Sequence, residues 1–317
     1  MAESMLQTVG LLATLAVGCG IVKAGMAVYS FFLRPGKDLK KYGEWAVVTG
    51  ATDGIGRAYA FELARQGLNV LLVSRTEEKL KQVKTEVLEK YPKVKVEYLP
   101  IDYSNFDEAA RKAVKDKVSE LDVGVLINNV GMSYPFTKYF HELKDDEVSG
   151  LVELNVNSTV WMTRIILGDG STPGMIKRKR GAIVNTSSGA GRGPSPLLAE
   201  YSGAKGFIEM FSKGLAGELQ AYNIHVQCQA PLFVTTKLAK IKRSSITVPT
   251  PAAYSRAAAR HIGYEDSVSP YWAHAIQLWA LRQLPDWVTS KICLAMHMPI
   301  RKAGMKKEAQ KAAEKTD

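Results

Sequence analysis

Apolar residues along this chain fall into runs of different length, and each length predicts a different element. From Met5 to Val22 the run MLQTVGLLATLAVGCGIV carries no charge, and after Lys23 the apolar stretch AGMAVYSFFL continues to Leu33. A stretch of that length spans the ~30 Å of bilayer hydrocarbon as a tilted helix, which predicts a membrane anchor and basic linker over residues 1–41. A cleaved signal peptide fits less well, because no Lys or Arg precedes the run and it exceeds the usual apolar core of a signal. Arg34, Lys37, Lys40 and Lys41 follow the run whereas only Glu3 is charged before it. That bias places the main domain on the cytosolic side.

Shorter apolar runs follow, each ending in polar or glycine-rich residues. Trp45–Thr49 (WAVVT), Asn69–Val73 (NVLLV), Lys95–Ile101 and Gly124–Ile127 (GVLI) have strand length and β-rich composition. Between them RAYAFELARQG and TEEKLKQVKTEVLEK have helical periodicity. Strands alternating with helices predict an α/β fold, a Rossmann-type doubly wound parallel sheet forming a single catalytic domain over residues 42–270. From Tyr271 to Ile300 the chain is again rich in Trp, Leu, Ile and Met, but Pro285, Asp286 and Lys291 interrupt it. A buried or interfacial segment over 271–300 is expected rather than a second span. Residues 301–317 read as a basic polar tail in the cytosol. Lys315, third from the end, lacks the partner lysine of a dilysine retrieval signal.

Composition narrows the function classes. Hydrophobic residues make up 46% of the 317 and charged residues 23%, as in an ordinary folded protein. The net charge of +11 raises nucleic acid as a partner, yet the basic residues are scattered and no nucleic-acid-binding motif accompanies them. A surface facing anionic lipid or an anionic ligand is the reading that remains. Cys19, Cys228 and Cys293 are far apart and the five histidines are dispersed, so no metal site is expected.

Chemistry concentrates in two places. The first is Gly50-Ala-Thr-Asp-Gly54-Ile-Gly56, between a predicted strand and a predicted helix. There Gly50 permits a tight turn, Gly54 a close backbone approach to a pyrophosphate, and Gly56 the packing of helix on strand. After the second strand stands Arg75, where an acidic residue would bind ribose hydroxyls; an Arg there accommodates a 2′-phosphate and argues for NADPH. Asp102, after the third strand, either meets the adenine amine or caps the next helix. Asn128 and Asn129, after the fourth, are placed to pin strand ends, and Asn129 to border the cofactor.

The second place is Ser188 to Lys205, SGAGRGPSPLLAEYSGAK. Tyr201 and Lys205 lie one helical turn apart on one face. A free phenol titrates near ~10 and is a weak acid at neutral pH; a neighbouring ammonium lowers that value. Ser188 is placed to hydrogen-bond the same substrate oxygen.

In TGATDGIG (49–56), NNVG (128–131), LNVNS around Asn155, NTSSGAG from 185 and YSGAK (201–205), taken in this order, the chain resembles the short-chain dehydrogenase/reductase family over roughly residues 44–240. The resemblance implies a catalytic tetrad of Asn155, Ser188, Tyr201 and Lys205. Tyr201 would protonate the carbonyl oxygen, Ser188 orient it, Lys205 bind the nicotinamide ribose and lower the Tyr201 pKa, and Asn155 hold a relay water. Ser188 rather than Ser187 has the family spacing to Tyr201. Thr52, Asp53 and Ile55 of the glycine turn are then expected at the cofactor, with Tyr201 and Lys205. Pro231, Val234 and Thr235 are added by position, although Leu232 stands where the family often has Gly. Within the family the chain is similar to the membrane-bound very-long-chain 3-oxoacyl-CoA reductases and the microsomal 17β-hydroxysteroid dehydrogenases, most of all to the plant and algal branch, through RPGKDLKKYGEWAVVTGATDGIGRAYAFELA, INNVGMSYP and PLLAEYSGAKGFIEMFSKGLAGEL. This implies NADPH-dependent reduction of an acyl-CoA substrate in fatty-acid elongation at the endoplasmic reticulum membrane, with membrane lipid and other elongation enzymes as partners and a homodimer as an open possibility. The rival readings are a 17-ketosteroid reductase and a catalytically idle nucleotide-binding scaffold. The basic cluster Lys237, Lys240, Lys242 and Arg243 is a candidate contact for coenzyme A phosphates.

Overall fold

Short apolar runs become strands here because helices cover both faces of the sheet they build. In this computed structural model residues 2–170 and 173–314 are described, the side chains of residues 2–4, 6, 9, 12, 13 and 16 excepted. Seven strands, β1 (Trp45–Thr49), β2 (Asn69–Ser74), β3 (Val96–Pro100), β4 (Val123–Asn128), β5 (Gly181–Thr186), β6 (Ile224–Gln229) and β7 (Ser267–Val268), form one sheet in the order β3-β2-β1-β4-β5-β6-β7. All neighbouring pairs are parallel. Alternation along the strands sorts their side chains into two cores: Ala46, Val48, Val70, Leu72, Val125 and Ile127 face one, and Trp45, Val47, Leu71, Val73 and Leu126 the other.

The helices, in chain order, are α1 (Ala2–Val28), α2 (Gly54–Arg65), α3 (Glu77–Lys90), α4 (Glu108–Ser119), α5 (Asp145–Val152), α6 (Ser158–Leu167), the single turn α7 (Met175–Arg178), α8 (Ala199–Leu219), α9 (Pro251–His261), α10 (Trp272–Arg282) and α11 (Asp286–Ala313). Tyr59 and Leu63 of α2, Leu80 and Val83 of α3 and Tyr254 and Ala258 of α9 close the first core. Val114 and Val118 of α4, Met162 and Ile166 of α6 and Leu219 of α8 close the second. Strand order reverses between β1 and β4, which opens the crevice where ligands of doubly wound sheets bind.

The residues up to Gly36 form one compact unit and those from Lys37 onward another. The first consists of α1 and a π-helical turn over Tyr29–Leu33, after which the backbone is extended at Arg34. Leu11, Leu15, Val17, Ile21, Val22 and Met26 are exposed along α1. Among the described residues no helix is long and apolar enough to cross a membrane. The anchor expected over residues 1–41 therefore has its support in the sequence rather than in the fold.

Two C-terminal expectations change in form. The apolar stretch from Tyr271 splits at Pro285 into α10 and the first half of α11; Ala273, His274, Leu278 and His297 are buried, while Trp279 and Trp287 are 66% and 64% exposed. The basic tail is helical through Ala313, because its Ala, Lys, Glu and Gln residues are good helix formers. Arg301 also ties it to Glu142 through an ion pair. Lys315 lies outside the described residues.

Candidate active site

The crevice between β1 and β4 is held by one hydroxyl. Thr49 Oγ1 accepts hydrogen bonds from the backbone N–H groups of Asn129 (2.9 Å) and Val130 (3.1 Å) and lies 3.3 Å from the Ile127 carbonyl, to which it donates. The Asn129 side chain donates in turn to the Thr49 carbonyl at 3.2 Å. On this staple sits the glycine turn. Gly50 adopts φ +64°, and a Cβ on Gly56 would fall 2.3 Å from the Gly50 carbonyl oxygen and 2.4 Å from Asn129 Nδ2. Only glycine permits both the turn and the close approach of α2 to it. The close packing expected of Gly56 is therefore against the turn and Asn129.

Around this turn the remaining predicted cofactor residues take definite places. Asp53 caps α2, accepting from the Gly54 N–H at 2.7 Å, and pairs with Lys237 at 2.7 Å. Thr52 Oγ1 meets Ser74 Oγ at 3.0 Å, next to the exposed Arg75 at the end of β2. Ile55 packs against the first core. Asp102 accepts from the backbone N–H and hydroxyl of Ser104, at 3.0 and 2.7 Å, and caps the turn after β3; α4 is capped by Asp107 instead. Burial works to raise the Asp102 carboxyl, but those two hydrogen bonds and the charge of Arg75 outweigh it, so its pKa is lowered. Asp102 and Arg75 thus share one corner of the crevice.

Of the expected tetrad, Asn155 and Lys205 meet at Gly131, and Tyr201 joins Lys205 on one side and Ser188 on the other. Asn155 lies in a π-helical turn, Glu153–Asn157, between α5 and α6, an irregularity common at functional sites. Its Nδ2 donates to the carbonyls of Met132 and Leu151, both at 2.9 Å, while its buried Oδ1 has no partner among the described residues. A Cβ on Gly131 would stand 2.7 Å from that Oδ1 and 3.3 Å from Lys205 Nζ. Glycine there lets the amide oxygen and the ammonium approach one another. Tyr201 and Lys205 lie in the first two turns of α8, and Nζ of Lys205 is 5.9 Å from the centre of the Tyr201 ring. Ser188 ends β5's extension, caps the following turn through a hydrogen bond from the Ala190 N–H at 3.2 Å, and hydrogen-bonds the Tyr201 phenol. Ser187 faces away: it is buried and donates to the Lys205 carbonyl at 2.7 Å.

Burial dominates the electrostatics of this pair. Burial raises the Tyr201 phenol, opposed by the Ser188 hydrogen bond. It brings the Lys205 ammonium down from 10.5 to about 8, and the Lys205 Nζ is turned onto the Thr186 carbonyl at 3.0 Å. A phenol so raised is protonated throughout the physiological range, as a proton donor must be.

Beyond β6 the structure shows residues that periodicity and spacing did not single out. His274 is fully buried; its Nδ1 accepts the Leu232 N–H at 3.2 Å, and its Nε2 therefore donates, lying 3.1 Å from the carbonyls of both Phe233 and Thr247. Burial lowers its pKa, against the pull of those carbonyls, so the neutral ring is the favoured form. Leu232, in place of the more usual Gly, lies over Gly189, where a Cβ would come 2.3 Å from its Cδ2. Pro231 accepts from the Gly189 N–H at 2.8 Å. Val234 is buried in the first core, and the N–H and hydroxyl of Thr235 both turn to the Pro249 carbonyl, at 3.1 and 3.5 Å. Only a His-backbone pattern legible in three dimensions identifies His274, since its partners lie 27 to 42 positions away.

From Thr236 to Lys242 the chain forms a strap. Lys237 ties it to Asp53 at the glycine turn, and Lys240 reaches the Pro135 carbonyl on the loop after β4. Two members of the basic cluster are thereby spent in closing the strap.

These features fit a bound dinucleotide: a glycine cradle that a Cβ would fill, a helix N-terminus beside it, and an unpartnered buried amide oxygen next to an ammonium. A family model described as short chain dehydrogenase matches residues 44–246. A very-long-chain 3-oxoacyl-CoA reductase-like protein of Arabidopsis thaliana is 42% identical over 81% of this chain and 81% of its own length. The very-long-chain 3-oxoacyl-CoA reductase of Coccidioides immitis is 34% identical over 99% and 91%, and that of Homo sapiens 39% identical over 84% and 83%. Among solved structures, a short-chain dehydrogenase from Sphingobium yanoikuyae in complex with NADPH matches with TM-score 0.60 and 28% identity, over 68% of this chain and 82% of that one.

The buried ammonium generates a prediction. The unfolded chain holds the Lys205 proton up to about 10.5 and the folded chain only up to about 8, so this group's penalty is full below pH 8 and is relieved as pH rises from 8 to 10.5. Lys205→Met is expected to gain on the order of 1–3 kcal/mol at pH 7 while losing turnover. Denaturant unfolding at pH 7 and pH 10 measures it; a variant equally destabilised at both values would contradict the assigned cost.

Proposed function

The chain belongs to the short-chain dehydrogenase/reductase family, and on that footing we propose that it reduces very-long-chain 3-oxoacyl-CoA to 3-hydroxyacyl-CoA with NADPH, the first reduction of fatty-acid elongation. The observation that carries the reaction type is the chain of contacts from Ser188 to Tyr201, Tyr201 to Lys205, and Lys205 to Asn155 across Gly131. The substrate class comes from relatives named for it in fungi, plants and animals.

The glycine turn, Arg75 and Lys205 would hold NADPH in the crevice, and the cofactor would supply the hydride for the substrate's 3-carbonyl carbon. Tyr201 gives its phenolic proton to the carbonyl oxygen, and Ser188 donates a hydrogen bond that holds that oxygen in place. Lys205, cationic below about pH 8, stabilises the phenolate left behind. Asn155 Oδ1, an acceptor without a partner, faces Lys205 across Gly131 and is placed to hold the water through which the proton is replaced. Arg75, at the end of β2 beside Thr52 and Ser74, is assigned to a 2′-phosphate and sets the preference for NADPH.

The N-terminal helix is assigned to membrane attachment at the endoplasmic reticulum, with the reductase domain in the cytosol. Support comes from the uncharged run Met5–Val22, the apolar side chains exposed along α1 and the basic residues that follow. The exposed Trp279 and Trp287 are suited to a headgroup layer.

Tyr201→Phe is expected to lower kcat at least ~10³-fold with NADPH binding near normal. Loss of NADPH absorbance with a 3-oxoacyl-CoA measures turnover and cofactor fluorescence measures binding. A variant that kept wild-type turnover would remove Tyr201 as the acid, and wild-type reduction of a 17-ketosteroid but not of the thioester would overturn the substrate. Arg75→Ala is expected to erode the NADPH-to-NADH ratio of kcat/KM about tenfold or more; an unchanged ratio would end that role. Deleting residues 1–36 is expected to release the protein from carbonate-washed microsomes. Retention of the shortened chain in the pellet would place the attachment elsewhere.

A further inference from the structure

Alongside the glycine turn, outside the strap, runs a groove of about 1030 Å³ between α2, α9 and the strap. Its charge is one-sided: eight cationic side chains line it against two acidic ones. Both acids are already neutralised, Asp53 by Lys237 and Glu62 by Arg65. Lys90, Lys242, Arg256 and Lys307 are exposed, come from four separate elements of the chain, and converge on one concavity. Like charges gathered so closely repel one another, and an anion bound among them relieves that repulsion. The groove also has aromatic walls. Arg57 lies 4.7 Å from the centre of the Phe61 ring, and Lys90 lies 6.0 Å from Phe61 and 5.7 Å from Tyr91. Both rings pack on the first core and carry these cations over their faces, and a wall faced by a guanidinium suits a purine carrying phosphates better than a bare phosphate.

We propose that this groove holds the adenosine 3′-phosphate diphosphate end of coenzyme A. The proposal rests on the acyl-CoA reading above and extends it from the reacting carbonyl to the far end of the same substrate. It also redistributes the basic cluster seen in the sequence. Lys237 and Lys240 close the strap, Arg243 does not line the groove, and Lys242 alone of the four is left to act with Lys90, Arg256 and Lys307 from distant parts of the chain.

The test uses the full chain in detergent with saturating NADPH, and compares Lys90→Glu, Arg256→Glu and their double variant with the wild type. Each single variant is expected to raise KM about tenfold for a 3-oxoacyl-CoA, with kcat unchanged and with KM for the matching 3-oxoacyl-pantetheine thioester unchanged. Calorimetry should show adenosine 3′,5′-bisphosphate binding to the NADPH-loaded wild type and about tenfold weaker binding to the variants. Equal shifts for both thioesters, or none for either, would overturn the proposal, as would an increase confined to the KM for NADPH, which would give the groove to the cofactor. Loss of binding to phosphatidylserine vesicles with KM for the CoA substrate unchanged would make it a lipid-headgroup site and overturn it too. If the wild type turned over neither thioester, the substrate reading would fall, and bisphosphate binding would still decide whether the groove takes this nucleotide.

Discussion

The hydroxyl of Thr49 is the point on which the rest of the site depends. A parallel sheet that is wound both ways leaves a gap where the strand order reverses, here between β1 and β4, and the backbone ends of those strands need partners there. Thr49 accepts two backbone N–H groups from the far side, and Asn129 returns a bond to the Thr49 carbonyl. The glycine turn then rests on the Asn129 amide so closely that no side chain fits at Gly56. Cofactor cradle, strand ends and the approach of α2 are therefore one packed object. A change at Thr49 or Asn129 acts on all three.

A second constraint is the burial of an ammonium. Lys205 is 5% exposed, and removing its charge from water disfavours the protonated form. The surrounding structure offsets only part of that through the Thr186 carbonyl. Folding alone gives no reason to keep such a group, since an apolar side chain of similar length would be less costly there. The proposed chemistry does: a cation beside Tyr201 matters when the phenol has given up its proton. The unpartnered Asn155 oxygen follows the same logic, for an unsatisfied buried acceptor carries a cost that only an additional bound group removes.

Further out, the strap and the C-terminal helices give the site its boundaries. Neutral His274, with one ring nitrogen accepting and the other donating, fixes the backbone of Leu232, Phe233 and Thr247 at once. Leu232 fills the space over Gly189, next to Ser188, and Leu278 of α10 approaches the same glycine. The departure from the more usual glycine is thereby absorbed into packing between the active-site loop and α10. The strap is held by an ion pair to Asp53 and a hydrogen bond to the Pro135 carbonyl, and its own residues line the basic groove.

Much of this was legible in the order of residues. Apolar runs of strand length, spaced by helical periods, determined a doubly wound sheet, because a strand buried on both faces must be apolar throughout. The glycines at 50, 54 and 56 marked the turn, and the spacing of Tyr201 and Lys205 marked a pair on one helical face, because both depend on local geometry alone. What the sequence could not determine depends on residues far apart in the chain. How far the Lys205 ammonium and the Tyr201 phenol shift depends on how deeply α8 is buried. The place of His274, the division of the basic cluster between strap and groove, and the meeting of Lys90, Lys242, Arg256 and Lys307 were likewise decided only by tertiary structure. Desolvation and charge act through space, and distance through space is what folding alone sets.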